Sequence, residues 1–139
     1  MMMKRVVCLV ALLGASACSY NNPTIPSGAT VTQLILETNA AVPVTTVNLP
    51  VNGTQELYVL WIFSNGTTGA GISSTAQYVS SNTAVVQAPS NGSHQSNCSG
   101  YYSTCLSIKA LAAGNATITV TDPTNAPNLS GKFTVTVGS

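Results

Sequence analysis

The chain has 139 residues, of which only 5% are charged, with a formal net charge of +1; soluble domains average roughly 25% charged residues, so Ser, Thr and Asn must carry solubility. With no basic patch there is no electrostatic footprint for a phosphate backbone, which excludes nucleic-acid binding. The many Val, Ile and Thr residues, with Tyr and Trp among them, exclude wholesale disorder.

At the N-terminus, Lys4 and Arg5 form a short positive segment and Val6 to Leu13 an apolar one too short to span a bilayer. Gly14-Ala15-Ser16-Ala17 follows as a small-residue cleavage region. In that order these are the parts of a secretory signal peptide, residues 1–17. A buried helix of the folded domain would need polar faces and caps that the stretch lacks. Removing it leaves 122 of the 139 residues, enough for one domain and one core. There, Lys109 and Lys132 stand against Glu37, Glu56 and Asp122, a formal net of −1. No apolar run beyond residue 17 approaches the roughly 18 residues of a spanning helix.

Ala15-Ser16-Ala17-Cys18 resembles the lipobox of bacterial lipoproteins, in which small residues precede a Cys that is acylated on its sulfur before cleavage. The resemblance implies lipidation at Cys18 and attachment to the membrane through the lipid anchor. Ala15 stands where the lipobox usually has Leu, and an ordinary signal peptidase cutting the same Ala-x-Ala site also fits. Ser19, in place of the Asp that favours inner-membrane retention, directs the expectation to the outer membrane of a bacterial cell envelope.

Residues 18–30 contain Asn21, Asn22, Pro23, Pro26 and Gly28 and read as a flexible tether. From residue 31 to 139 short β-branched runs alternate with turn clusters. Strands are expected over residues 31–36, 45–49, 55–63, 75–79, 84–88, 106–110, 116–121 and 132–137. In Ala116-Thr-Ile-Thr-Val-Thr121 and Phe133-Thr-Val-Thr-Val137 the apolar residues alternate with Thr, as in strands with one wet face. Leu57 to Phe63, with Trp61 inside, is almost continuously apolar and reads as the central strand. Asn52-Gly53, Asn65-Gly66, Asn91-Gly92 and Gly114-Asn115 mark turns, and residues 122–128 read as a longer, proline-marked connection. The fold class is all-β: an immunoglobulin-like sandwich of two antiparallel sheets with seven or eight short strands.

Of four cysteines, Cys8 lies in the signal, and Cys98 and Cys105 are seven apart, a spacing that suits a disulfide across a turn. Cys18 is left over, and a thioether to a lipid accounts for an odd thiol in an oxidising compartment. No metal site is expected, because four soft ligands are not at hand.

Ile108-Lys-Ala-Leu-Ala-Ala-Gly-Asn-Ala-Thr-Ile-Thr-Val120, then Gly131-Lys-Phe-Thr-Val-Thr-Val137, with Ser80-Ser-Asn-Thr-Ala-Val-Val-Gln87 upstream, resembles the bacterial immunoglobulin-like domains of group 2, the type found in intimin- and invasin-like surface proteins. The resemblance spans roughly residues 31–137. It implies a fold signature in which Leu111 plugs the core from a strand end and Gly114 permits a tight turn, and it implies adhesion, spacing or display without catalytic residues. Tyr78 stands where the family usually has Trp, with Trp61 to fill the core instead. Residues 89–104 form an insertion that the family spans with a few residues.

That insertion holds His94, Tyr101 and Tyr102, the candidate binding residues. Tyrosine supplies rigid amphipathic area at low entropy cost; equally, one ring covers the edge of the core. His94, the single histidine, lies in a polar stretch and reads as a solvated loop residue, and the three carboxylates are widely separated. No convergent set of acids, bases or ligands is present, so neither catalysis nor a cofactor is expected. Six Asn-x-Ser/Thr triplets read as chance in a chain this rich in those residues. The expected function is non-enzymatic display, adhesion or spacing at the cell envelope. The alternative is a module that binds a cell-surface protein or glycan through residues 89–104.

Overall fold

Strands form where branched and aromatic residues run unbroken between turns, because such side chains pack well on a pleated surface. The computed structural model describes residues 24–38, 42–70, 75–91 and 105–139. Among them are β1 (Val31–Glu37), β2 (Thr46–Pro50), β3 (Thr54–Phe63), β4 (Thr68–Ala70), β5 (Gln77–Ser80), β6 (Val86–Gln87), β7 (Leu106–Ala110), β8 (Gly114–Asp122) and β9 (Ala126–Gly138). No described residue is helical.

One sheet has the order β1-β3-β7-β6, with β4 on β3; the other has the order β2-β9-β8-β5. This is the connectivity of an immunoglobulin sandwich, with the first strand divided between the sheets: β1 pairs β3, whereas β2 pairs β9. The β2–β9 ladder is parallel, from Thr46↔Thr134 to Pro50↔Gly138, so the two sheets are not purely antiparallel as the sequence suggests. Leu60, Trp61 and Ile62 pair with both β1 and β4, which therefore lie on opposite edges of β3. β3 is the central strand.

The core lies between the sheets: Trp61 at 1% exposure with Leu57, Val59 and Phe63 from β3, Leu106 and Ile108 from β7, Ile118 and Val120 from β8, and Phe133 and Val135 from β9. The outer face of the β2-β9-β8-β5 sheet is hydroxyl- and amide-bearing in register. Thr46, Thr134 and Thr117 form one row, and Asn48, Thr136 and Asn115 the next. These are the wet positions of the alternating runs.

Two expectations change, and a third gains a second cause. Leu111 does not plug the core; it is 38% exposed. Its N–H and that of Ala112 donate to the carbonyl of Val85, and this bond turns the chain so that Val85 and Val86 are buried instead. Gly114 follows the β7–β8 turn directly and opens β8 with φ +142, and a Cβ there would stand 3.0 Å from Val85 Cγ2, so the backbone at the turn's exit and close packing both require glycine. Residues 122–128 are not a long loop: β9 begins at Ala126, leaving a tight turn between β8 and β9 and placing Pro127 and Asn128 inside the strand. β4, only three residues long, was not signalled by the sequence.

The sandwich has two distinct ends. The upper end carries the β8–β9 turn, the β3–β4 turn and the entry into β1, where Val31 pairs Phe63. The lower end carries the β2–β3, β5–β6 and β7–β8 turns, joined where the Asn52 N–H donates to the Ala110 carbonyl and the Ala110 N–H to the Gly53 carbonyl.

Candidate functional site

Strand alternation sends Leu57, Val59, Trp61 and Phe63 into the core and Tyr58 away from it. Glu37 is paired with Tyr58, and because Leu57 pairs Leu106, Cys105 follows Tyr58 on the other side. Glu37, Tyr58 and Cys105 thus form one row across the outer face of the β3 sheet. Tyr58 is 1% exposed and Cys105 fully buried, yet neither belongs to the central core cluster. The Tyr58 hydroxyl donates to Glu56 Oε2 at 3.4 Å. Above the row, the in-register pair Ile35 and Leu60, with Ile62, are half-buried. Over Ile35, Leu60 and Ile62 this outer face is apolar, in contrast to the Thr and Asn face of the other sheet, which explains why β3 reads as almost continuously apolar from Leu57 to Phe63.

Cys105 is disulfide-bonded, and its partner falls outside the described residues. On the side where the insertion leaves β6, Asn91 Oδ1 accepts the Tyr78 backbone N–H at 2.9 Å. The insertion therefore starts from a residue fixed to the edge strand β5 and ends at a buried half-cystine.

The upper end holds the other polar cluster. Asp122 is 2% exposed; its Oδ1 accepts the Thr75 hydroxyl at 2.7 Å and the N–H groups of Thr124 and Asn125 at 3.1 and 3.0 Å. The Asn125 side-chain amide donates to Asp122 Oδ2 at 3.1 Å. A carboxylate accepting from its own turn is the Asx pattern, and the Thr75 bond ties that turn to the chain entering β5. Asp122 is thereby committed to structure.

A crevice of about 260 Å³ lies where the chain crosses from one sheet to the other, lined by residues 33–36, 43–45 and Lys132. Its lining mixes the aliphatic Leu34, Ile35, Leu36 and Val44 with Gln33, Thr45 and the cation Lys132. Among the described residues no three His, Cys, Asp or Glu side chains are grouped to hold a metal ion, and no helix is long and apolar enough to cross a membrane.

Of the residues singled out from the sequence, Cys105 is described; Cys18, His94, Cys98, Tyr101 and Tyr102 lie outside the described residues. The Glu37–Tyr58 pairing and the Asp122 cluster were missed. Asp122-Pro-Thr-Asn125 did carry a turn signal, whereas nothing local marks Glu37 as buried.

The fold is similar to solved domains of the S-layer protein SbsC. Domains 4 and 5 match with a TM-score of 0.53 at 18% identity, over 85% of this chain and 54% of that one. Domains 5-6 match at 0.51 and 18% identity, over 84% and 45%, and domains 4-9 at 0.53 and 18%, over 85% and 15%. The chain thus spans little more than half of the shortest of these structures, and at this identity the likeness is one of fold. No protein-family model matches the chain, and no curated protein matches it in sequence.

Proposed function

We propose that the chain is a non-enzymatic immunoglobulin-like module of the bacterial cell envelope, of the group 2 type, lipid-anchored through Cys18 at the outer membrane and acting in display, adhesion or structural spacing. The observation that carries this reading is an immunoglobulin-type sandwich standing behind an N-terminus with the parts of an export signal and Cys18 directly after it. The SbsC likeness supports a cell-surface setting. The commitment of Asp122 to a turn supports the non-enzymatic part. Mass spectrometry of the N-terminal peptide from the envelope fraction tests the anchor: an acylated Cys18 is expected, and an unmodified Cys18 overturns it. The Cys18→Ala chain should leave the membrane fraction.

A second reading, recognition of a cell-surface protein or glycan through residues 89–104, is favoured by the two fixed roots of that insertion at Asn91 and Cys105. In this reading Cys98 pairs with Cys105 and holds His94, Tyr101 and Tyr102 in place. Peptide mapping before and after reduction checks the pairing. Replacing residues 92–104 with a Gly-Ser linker, together with Cys105→Ser, should abolish binding on a glycan or cell-surface array while leaving the sandwich folded.

A further inference from the structure

The chain enters the sandwich at its upper end and is clamped there. The Thr30 N–H donates to Ser64 Oγ at 3.1 Å and the Ser64 N–H to the Thr30 carbonyl at 2.9 Å, while Ile25 and Ala29 pack against the core. Cys18 precedes Thr24, the first described residue of this stretch, by six residues. Six residues reach at most roughly 20 Å even when fully extended. β9 alone, with 13 residues, rises roughly 40 Å from the upper end to the lower. A link shorter than the domain, fixed to one end of it, cannot let the two ends exchange places freely against a surface.

We infer that the anchored protein stands with its upper end toward the bilayer and presents its lower end outward; the inference rests on the Cys18 reading above. The presented surface is then the set of three lower turns, residues 51–53, 81–84 and 111–113. None of these residues is charged, and Val51 and Leu111, at 36% and 38% exposure, are its large aliphatic side chains. Asn52 and Ala110 bring their turns together. The β3–β4 and β8–β9 turns, Asp122 cluster included, face the lipid headgroups.

The experiment uses the full chain, processed and purified from membranes, reconstituted in phosphatidylethanolamine–phosphatidylcholine vesicles that contain an acceptor-labelled lipid. A donor dye is placed at the upper end in Thr124→Cys or at the lower end in Ala112→Cys, both exposed positions, with Ser130→Cys and Ala113→Cys as a second pair should either variant melt early. Loss of most donor emission at the upper positions with little loss at the lower ones is the expected result. Equal loss at both ends, or greater loss at the lower end, overturns the orientation. A chain that fails to float with the vesicles and transfers from neither dye overturns the Cys18 reading, and this inference with it.

Discussion

Thr75 and Asp122, 47 residues apart, meet in a 2.7 Å hydrogen bond in which the threonine hydroxyl donates to a carboxylate oxygen that is otherwise occupied by its own turn. A long-range contact is thus built on a local one. The Asx turn at residues 122–125 forms from adjacent residues, and Thr75 then fixes the entry of β5 against the end of β8. Hydrogen bonds to a buried charged acceptor contribute more than neutral ones, about 1.5–3 kcal/mol each, and removing the acceptor strands its donors.

Asp122→Ala should therefore destabilise the domain by about 2–4 kcal/mol, read as a lower urea midpoint at unchanged m-value. Asp122→Asn keeps an acceptor oxygen for the turn and should lose less than half as much. Equal losses in the two variants would show that the geometry of the turn matters less than the charge.

Gly114 and Val85 are packed to the limit. The glycine sits at φ +142, where side chains are rarely tolerated, and an added Cβ would meet Val85 Cγ2 at 3.0 Å. Gly114→Ala should cost about 1–3 kcal/mol through backbone strain and crowding together. Combining it with Val85→Ala relieves the crowding alone, so a double-mutant cycle should show a favourable coupling and leave a residual loss from the backbone. Additive losses would place the entire effect in the backbone.

How far the sequence reached depended on whether the controlling contact was local. Eight strands were legible from alternation and β-branched runs, since each is set by its own residues: Thr117, Thr119, Thr134 and Thr136 announced the wet face directly. β4 was not, because Gly69 and Ala70 disfavour strands and one Thr68 beside them makes no run; the three pair where Leu60, Trp61 and Ile62 offer an edge. The burial of Glu37 follows from its pairing with Tyr58 across two strands, a relationship no window of sequence contains. Leu111 was misplaced for the same reason: its run is apolar, but the Val85 carbonyl decides which residues turn inward. The Asp122 cluster was half-legible, the turn in Asp122-Pro-Thr-Asn125 and not the Thr75 tie.

The reassignment of Leu111 can be tested against a residue of the same type. Leu111→Ser removes a side chain that is already part-exposed and should change stability by no more than about 0.5 kcal/mol. Leu57→Ala empties a fully buried site and should cost about 2–5 kcal/mol. Thermal melts of the two variants side by side decide the matter, and a Leu111→Ser loss as large as that of Leu57→Ala would return Leu111 to the core.

Asn91 governs how firmly the insertion is rooted. Its side-chain carbonyl holds the Tyr78 N–H at 2.9 Å on the outer edge of β5, and an edge N–H without a partner exchanges its proton with water far faster than a bonded one. Asn91→Ala should cost about 1 kcal/mol globally, a modest effect, while amide exchange at Tyr78 should quicken by about fivefold, the equivalent of that energy in local opening. Exchange at Val79 and Ser81, whose N–H groups face β8, that of Ser81 donating to the Thr117 carbonyl, should stay close to that of the parent chain. If all three amides speed up together, the bond holds the whole strand rather than the root of the insertion, because β5 would then be opening as a unit.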